Sequence, residues 1–571
     1  MSAVTPDSTA STPAAWWRTA VTYQVYIRSF ADGNGDGLGD IAGLRSRLPY
    51  LAELGVDALW INPFYPSPQA DGGYDVADYR AVDPVFGDLR AAEALITAAH
   101  DLGLRVLLDL VPNHTSDAHA WFQAALKQGP GAPARARYLF RPGKGEHGEL
   151  PPNNWQAVFG GSAWERVIEA DGQPGEWYLH LFDTRQPDLN WEHPEVQQEF
   201  LAILRFWFDR GVDGMRIDVA HGLFKDPAFP DLTPEQLGQS GTPRCPQHPH
   251  WDQEGVHEIY RSWRALADSY NPPRIFVAEA WVSSPERLAR YLRPDELHTA
   301  FDFEFVRAPF QCSALRQAIT DSLQAHQAVG AEVLWVLSNH DLTRHVTRLG
   351  RPTAGTAHHA PLQDKQSGTR VDLTLGRQRA RALPGGVYLY QGEELGLEEV
   401  ENLPDHVLQD PTFRRSGGAQ RGRDGCRVPL PWTAEAPAFG FSKAAPWLPQ
   451  PDHWGAQSAA AQMADPCSMW TFYQLALARR RTHVPSHTPL AWLEPGPDIL
   501  AFTRGPGFQC ILNLSPTPFP LPQSATSPNH VPVLSSAPLG TNVDEHTYLL
   551  PPDSAIWLAP PQAYRVSGAR R

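Results

Sequence analysis

Residues 211–219 read GVDGMRIDV, a short apolar run that ends in an arginine and an aspartate. Seven other apolar runs occur, most of which also end in a polar cluster, and amphipathic stretches such as AAEALITAAHDLG (91–103) separate them. The eight runs begin at Val21, Asp57, Arg105, Gly211, Arg274, Ala300, Val333 and Gly386. Strands that alternate with helical patterns predict a parallel sheet with helical crossovers.

Eight such strands fit a closed (β/α)8 barrel, the TIM barrel, whose catalytic groups lie where the strands end. An open, doubly wound sheet is the alternative, but no G-x-G-x-x-G segment follows the first strand. We therefore predict an α/β fold built on a (β/α)8 barrel.

Changes in composition predict further domains around the barrel. The segment 112–187 is rich in Gly, Pro and Trp and too long for an ordinary loop, which predicts an inserted subdomain after strand 3. Short strands punctuated by Pro and Asn predict a C-terminal antiparallel β-sandwich over 485–571. The barrel then occupies 16–111 and 188–484. Residues 1–15 have neither a basic nor an apolar region, so we expect a disordered lead rather than a signal peptide.

Charge and cysteine content exclude several classes of protein. The 571 residues carry a formal net charge of −15, which argues against binding to nucleic acid or to an anionic membrane. No apolar run approaches the roughly 18 residues of a membrane span. The five cysteines are odd in number and include no C-x-x-C pair, which fits a reducing compartment. We therefore expect a cytoplasmic protein without a nucleic-acid or membrane partner.

Three carboxylates stand where predicted strands end: Asp218 after MRI, Glu279 after FVA, and Asp341 after SNH. A lone Asp there often caps the following helix, but three carboxylates together, each costly to bury, indicate a site. Side chains alternate along a strand, so Arg216 and Asp218 point the same way. We expect this fixed cation to keep Asp218 ionised, as a carboxylate nucleophile requires.

Paired carboxylates without a Ser–His, Cys–His or metal partner are the groups that glycoside hydrolysis uses. One attacks the anomeric carbon, and the other, kept protonated by its surroundings, donates to the leaving oxygen.

Four stretches resemble, in order, the signature regions of glycoside hydrolase family 13, the α-amylase family. They are DLVPNH (109–114), GMRIDVA (214–220), AEAW (278–281) and SNHD (338–341). QPDLNW (186–191) looks like a fifth region in the form found in oligo-1,6-glucosidases and α-glucosidases. The opening YQVYIRSFADGNGDGLGD and the late GRDGCRVPLPW are similar to the same exo-acting branch.

The resemblance implies a retaining α-glucosidase mechanism. Asp218 matches the nucleophile, Glu279 the general acid/base, and Asp341 the carboxylate that binds the sugar hydroxyls. The substrate-binding residues that the resemblance implies are Asp71, Tyr74, His114, Phe159, Phe182, Gln186, Arg216, His340 and Arg423. An Asp71–Arg423 pair would close the end of the pocket, so that only a terminal glucose fits.

Plainer interpretations exist for several of these residues. Tyr74, Phe159 and Phe182 could be ordinary core aromatics, and Asp71 beside two glycines could be a turn residue. Asp109 lies deep in its strand, so we expect a structural partner of the site rather than a reacting group.

The segment DGNGDGLGD (32–40) places oxygen atoms at alternate positions. The set that could surround a hard cation comprises Asp32, Asn34, Asp36, Asp40 and the backbone carbonyl of Leu38. Gly43 stands where an EF-hand has Glu, which excludes that motif. The resemblance implies a structural Ca²⁺, or Mg²⁺, away from the chemistry, and no organic cofactor. An Asp/Gly turn without metal is the alternative.

The combined evidence predicts an exo-α-glucosidase acting on short oligosaccharides such as maltose. Cues to the linkage conflict: in relatives Val after the nucleophile, here Val219, favours α-1,6 bonds, whereas DVAHGL and GCRVPLPW resemble maltose-active enzymes. The alternatives are an oligo-1,6-glucosidase, or a transglycosylase such as a sucrose isomerase on the same scaffold. A non-catalytic relative is disfavoured because all three carboxylates are present.

Overall fold

A computed structural model describes residues 13–237, 248–350, 382–486, 488–521, 530–542 and 547–561. The predicted lead over 1–15 lies, up to residue 12, outside this part of the chain. None of the helices within the described ranges is long and apolar enough to cross a membrane.

Eight parallel strands form the central sheet, and all eight correspond to predicted runs. In chain order the strands up to residue 390 are β1 (Val21–Val25), β2 (Ala58–Ile61) and β3 (Arg105–Leu110) of the central sheet, β4 (Phe140–Arg141), β5 (Trp164–Ile168) and β6 (Pro174–Leu179) of the segment after β3, and β7 (Gly214–Ile217), β8 (Ile275–Ala278), β9 (Thr299–Ala300), β10 (Leu334–Val336) and β11 (Gly386–Tyr390) of the central sheet.

The order of strands in the central sheet is β10-β11-β1-β2-β3-β7-β8-β9. A parallel bridge between Phe301 and Leu334 connects the last strand to the first, so the sheet is a nearly closed barrel. This confirms the predicted (β/α)8 fold class. Because the strands are parallel, their C-terminal ends meet at one face of the barrel.

Helices surround this sheet and connect its strands. They are α1 (Ile41–Ser46), α2 (Leu48–Leu54), α3 (Leu89–Asp101), α4 (Ala120–Gln128), α5 (Pro194–Phe208), α6 (Pro234–Leu237), α7 (Val256–Asp268), α8 (Pro285–Arg290), α9 (Phe303–Arg307), α10 (Cys312–Ala328), α11 (His345–Leu349), α12 (Pro411–Arg415), α13 (Ala459–Met463) and α14 (Met469–His483). Short 3₁₀ helices cover Pro13–Arg18, Ile27–Ser29, Pro133–Arg137, Asp405–Val407, Asp424–Cys426, Asp452–Gln457 and Gly505–Gly507.

Helix α3 shows how the amphipathic stretches form. Asp88 caps its N-terminus by accepting a hydrogen bond from the backbone N–H of Ala91 at 2.7 Å. The buried residues Ala92, Leu95, Ile96 and Ala99 follow the three- and four-residue spacing of one helix face.

The predicted strand AFDFEF (300–305) is the one run that differs clearly. Strand β9 ends at Ala300, and only the single bridge of Phe301 to Leu334 follows it. Asp302 then accepts a hydrogen bond from the backbone N–H of Phe305 at 3.0 Å. This cap begins helix α9 at Phe303. The alternating aromatic pattern therefore belongs to a helix start and not to a longer strand.

The segment between β3 and β7 carries a three-stranded antiparallel sheet of order β4-β6-β5. Its apolar residues Trp155, Trp164 and Leu181 pack in one cluster with Val219 and Trp251, which follow β7. The segment is thereby held against the C-terminal ends of the barrel strands.

The C-terminal region is antiparallel, as predicted. Its strands are β12 (Leu490–Leu493), β13 (Ile499–Arg504), β14 (Phe508–Asn513), β15 (Phe519–Pro520), β16 (Val531–Ser535), β17 (Gly540–Asn542), β18 (Thr547–Leu550) and β19 (Ser554–Ala559). They form a five-stranded sheet of order β12-β13-β14-β19-β16 and a three-stranded sheet of order β15-β18-β17. Residues of both sheets, including Ile511, Leu550 and Ile556, pack in one apolar cluster.

Candidate active site

Arg216, in β7, is the centre of the polar cluster at the C-terminal ends of the strands. Its guanidinium is fully buried. Nη1 donates to Asp109 Oδ1 at 2.8 Å and to Asp218 Oδ1 at 2.6 Å. Nη2 donates to Glu279 Oε2 at 2.6 Å. The three carboxylates come from the neighbouring strands β3, β7 and β8 or the residues just after them, so the sheet register itself brings them together.

Opposing groups act on the pKa of Asp218. Burial raises the pKa of Asp218 well above its ordinary value; Arg216 opposes this, while Glu279 and Asp109 raise the pKa further. Burial also raises the pKa of Asp109, to about 6. Arg216 thus favours the charged form of Asp218, as expected from the sequence, while burial and the two neighbouring carboxyls oppose it.

Asp218 and Glu279 are close enough that Glu279 raises the pKa of Asp218. Both carboxyls bind the same guanidinium, that of Arg216. Two neighbouring carboxyls of this kind can act as a pair, in which one attacks and the other donates a proton.

Asp341, which follows β10, lies in a different charge environment. Its Oδ1 accepts hydrogen bonds from Arg423 Nη1 and Arg427 Nη2, both at 2.9 Å. Desolvation raises the pKa of Asp341, but the opposing effect of His340, Arg423 and Arg427 is larger. The pKa of Asp341 therefore lies well below its ordinary range, and this carboxylate stays charged.

The predicted Asp71–Arg423 pair is present at one end of the site. Arg423 Nη2 donates to Asp71 Oδ1 at 2.6 Å, and Gln186 Nε2 donates to Asp71 Oδ2 at 3.1 Å. Burial raises the pKa of Asp71 to about 6 in spite of the neighbouring Arg423 and Arg427. Arg423 thus connects Asp71 to Asp341 through its two terminal nitrogens.

Aromatic rings form the floor of the site. Tyr74 stacks on His340 with ring centroids 5.1 Å apart and planes within 7°. The Tyr74 hydroxyl donates to Asp109 Oδ2 at 2.8 Å and accepts from Asn62 Nδ2 at 2.6 Å. These bonds hold the ring in place at the cavity wall, so Tyr74 is a lining residue of the site and not only a core aromatic.

Phe159 and Phe182 come from the segment after β3 and form the opposite wall. Their rings make an edge contact at 5.7 Å. The Arg423 guanidinium carbon lies 4.9 Å from the centre of the Phe159 ring, and His114 lies 5.1 Å from Phe182. Burial lowers the pKa of His114 to about 4, so this imidazole is neutral at pH 7.

These groups surround a cavity of about 250 Å³. The predicted residues that line it are Asp71, Tyr74, His114, Phe159, Phe182, Asp218, Glu279, Asp341 and Arg423. Gln186, Arg216 and His340 lie directly behind this wall, fully buried, and contact the lining residues through hydrogen bonds or ring stacking. The structure therefore brings all twelve predicted catalytic and substrate-binding residues together in one place.

Two charged residues of the site were missed by sequence reasoning. Arg427 donates to Asp341, as described above, and its Nε donates to the carbonyl of His340 at 2.9 Å. Asp410 accepts at Oδ2 from Arg423 Nε at 2.5 Å, and its pKa is lowered to about 2 by Arg423 and Arg427 in spite of burial. Arg427 falls within GRDGCRVPLPW and could have been found there. Asp410 lies 13 residues before Arg423, and no sequence pattern pairs the two.

The residues of the predicted cation loop bond mainly to the loop's own backbone. Asp32 accepts from the N–H groups of Gly35 and Gly37 at 2.6 and 2.8 Å, and Asp36 accepts from Leu38 at 2.9 Å. The donor set is all oxygen, which fits a hard cation chemically. Across the described ranges, however, no three Asp, Glu, His or Cys side chains are grouped as a metal site would require.

Comparisons with known proteins agree with this geometry. The family described as "Alpha amylase, catalytic domain" matches residues 24–487. A probable alpha-glucosidase of Rhizobium meliloti (strain 1021) is 39% identical over 520 residues, covering 88% of this chain and 89% of the relative. An oligo-1,6-glucosidase of Parageobacillus thermoglucosidasius is 34% identical over 523 residues, covering 86% of this chain and 88% of the relative.

The fold is similar to that of a solved structure. The crystal structure of an alpha-glucosyl transfer enzyme matches with a TM-score of 0.83 and 33% sequence identity. The match covers 96% of this chain and 100% of the other.

Proposed function

Because the chain belongs to the α-amylase family of glycoside hydrolases, we propose that it is a retaining, exo-acting α-glucosidase. Its substrate is a short oligosaccharide such as maltose, from which it removes the terminal non-reducing glucose. One observation carries this proposal: a single cavity has the Asp218–Glu279 pair, joined by Arg216, on one side and the Asp71–Arg423–Asp341 cluster on another.

In the first step Asp218 attacks C1 of the glucose while Glu279 gives its proton to the glycosidic oxygen. The bond from C1 to the Asp218 oxygen forms as the bond from C1 to the leaving sugar breaks. In the second step Glu279, now a carboxylate, takes a proton from water, and the water oxygen displaces Asp218 from C1. Two inversions at C1 give α-glucose.

The ion pairs at the closed end of the cavity explain exo action. Asp71, held by Arg423 and Gln186, offers carboxylate oxygens to glucose hydroxyls. Asp410 holds Arg423 from behind. A sugar chain cannot continue past this wall, so the glucose that binds is a terminal one.

For linkage, we propose that α-1,4 bonds are accepted, as in maltose. Val219 lines the cavity with a φ of 44°, a left-handed conformation that is rare for a β-branched residue. The residue after the nucleophile is thus part of the cavity wall, beside Asp218. The second candidate, an oligo-1,6-glucosidase, is favoured by the valine itself and by the relative of that name.

A transglycosylase remains the other candidate, favoured by the similarity to the α-glucosyl transfer enzyme. It would form the same glucosyl-aspartate and resolve it with a sugar hydroxyl instead of water.

We also propose a structural Ca²⁺ held by loop 32–40, supported by its all-oxygen donor set, and a cytoplasmic location, supported by the odd number of cysteines. The loop takes no part in the reaction. Recovery of the activity from the medium rather than from cell extract would contradict the location.

Initial rates of glucose release decide the linkage. We expect release from maltose to be faster than from isomaltose, because the Rhizobium meliloti relative, 39% identical to this chain, is named a probable alpha-glucosidase. A strong preference for isomaltose would identify an oligo-1,6-glucosidase and make Val219 the deciding residue. New disaccharides in place of free glucose at high substrate would identify a transglycosylase.

Variants of the two central carboxylates distinguish their roles. We expect Asp218→Ala and Glu279→Ala each to lower kcat on maltose by roughly 100-fold or more, as loss of a nucleophile or a general acid does. With α-glucosyl fluoride and azide, Glu279→Ala should form α-glucosyl azide, because the covalent step survives. Asp218→Ala should form β-glucosyl azide by a single displacement. If Glu279→Ala instead formed the β-azide and Asp218→Ala the α-azide, the roles of nucleophile and acid/base would have to be exchanged.

Asp410→Asn tests the support of Arg423. The variant removes a charge that holds the guanidinium, so we expect KM for maltose to rise by about 10- to 100-fold, equivalent to roughly 1.4–2.7 kcal/mol, with a smaller change in kcat. Asp405→Asn, which removes an exposed ion pair with Arg421, is the matched control and should behave like wild type. Equal kinetics for both variants would show that Asp410 does not position Arg423.

Chelation tests the cation. We expect EDTA to lower the melting temperature and added Ca²⁺ to restore it, because a bound ion stabilises the folded state by mass action. Asp36→Ala should abolish this response, whereas Asp101→Ala, which removes an exposed carboxylate of α3, should retain it. A melting temperature that is the same in EDTA and in Ca²⁺ would contradict the proposal.

A further inference from the structure

Trp281, which was not among the predicted site residues, contacts the acid/base carboxyl directly. It lies two residues beyond Glu279, and alternation along an extended chain turns both side chains to the same side. The indole Nε1 donates to Glu279 Oε1 at 3.1 Å. Oε2 accepts from Arg216 Nη2 at 2.6 Å and from the backbone N–H of Val219 at 3.3 Å. Donors on both oxygens fix the plane of the carboxyl.

The indole itself is held in place by two neighbours from helix α9. Phe303 stacks on it with ring centroids 3.5 Å apart and planes within 12°. The guanidinium carbon of Arg307 lies 4.4 Å from the centre of the Trp281 ring. Phe303 is itself buried in the barrel cluster, 5% exposed. The N–H therefore has a fixed direction, set by the helix that Asp302 caps.

We propose that Trp281 is a positioning residue for the acid/base carboxyl, an inference that rests on the proposed function. Its N–H holds Glu279 Oε1 on the cavity side, where the glycosidic oxygen must lie. An N–H donor binds a carboxylate more strongly than a neutral acid. The bond from Trp281 thus strengthens as the proton leaves Glu279, which lowers the barrier to the first step.

The proton balance in this step is simple. The proton of Glu279 passes to the glycosidic oxygen as the bond from C1 breaks, and the indole keeps its own hydrogen. When water attacks in the second step, Glu279 takes back one proton from it. Trp281 is neutral throughout and exchanges nothing with the substrate.

Other groups also face this carboxyl. Arg216 and Asp218 approach from β7, and Asp109 lies behind them on β3. From the loop after β7, His221 accepts at Nδ1 from the backbone N–H of Trp281 at 3.4 Å. All of them stay in place in a Trp281→Phe variant, as does an aromatic ring at 281. Any change in the pH profile then reports the loss of the indole N–H.

The test compares a substrate that needs protonation with one that does not. Maltose has a poor leaving group, a sugar hydroxyl that must be protonated. The leaving group of 4-nitrophenyl α-glucoside is 4-nitrophenolate, which departs without help from an acid. For Trp281→Phe we expect kcat/KM on maltose to fall by about 10- to 100-fold, the range for a hydrogen bond to a charged group, with little change on the aryl glucoside. The alkaline limb of kcat/KM for maltose should move to higher pH, because the N–H no longer favours the deprotonated carboxyl.

Trp207→Phe is the matched control. Its buried indole donates to the carbonyl of Tyr79 at 2.8 Å, outside the cavity. The variant should therefore melt at a lower temperature, while the ratio of kcat/KM on maltose to kcat/KM on the aryl glucoside stays unchanged. Phe303→Leu removes the ring that stacks on Trp281. It should lower kcat/KM on maltose relative to the aryl glucoside, as Trp281→Phe does. This second variant keeps the test usable if Trp281→Phe folds poorly.

Wild-type kinetics and pH profile in Trp281→Phe would overturn the inference. An equal loss on both substrates would also overturn it, since the ring would then be a sugar platform only. Should wild-type protein release no glucose from either substrate, the proposed function itself would fail, and that result is distinct from an unchanged ratio in an active enzyme.

Discussion

The contact of one buried guanidinium with three carboxylates is the interaction on which this site depends. Arg216 binds Asp109, Asp218 and Glu279, which come from three adjacent strands or the residues just after them. Because one cation is shared by three buried carboxyls, burial raises the pKa of Asp109 and of Asp218 in spite of Arg216. Burial removes water from these carboxyls, and a single guanidinium is shared among the three of them. The fold thereby places a nucleophile and a proton donor side by side.

A second, opposite arrangement surrounds Asp341. There two arginines, Arg423 and Arg427, share a carboxylate, so its charge is stable. The site thus combines two carboxyls that share one cation with a third carboxylate, Asp341, that is bound by two. The first arrangement suits proton transfer, and the second suits binding of sugar hydroxyls through charge-assisted hydrogen bonds. The segment after β3 completes the cavity by supplying Phe159 and Phe182.

Much of this could be predicted from the sequence, because the barrel strands are local apolar runs and the site residues stand at their ends. Asp218, Glu279 and Asp341 are each adjacent to the run that positions them. Two features depend on contacts distant in sequence and were not predictable. Asp410 reaches Arg423 because the chain turns back at α12, and the sharing of one cation by three carboxyls requires three strands to meet at Arg216. The predicted strand at AFDFEF was too long because an Asp cap decides where it ends.

The stereochemistry of the released sugar tests the account most directly. Proton NMR of maltose hydrolysis in its first minutes distinguishes the two anomers of the new glucose before they equilibrate. Double displacement through Asp218 predicts that α-glucose appears first, taken one unit at a time from the non-reducing end. Initial formation of β-glucose would require water to attack C1 directly, and it would contradict both the covalent intermediate and the roles given to the Asp218–Glu279 pair.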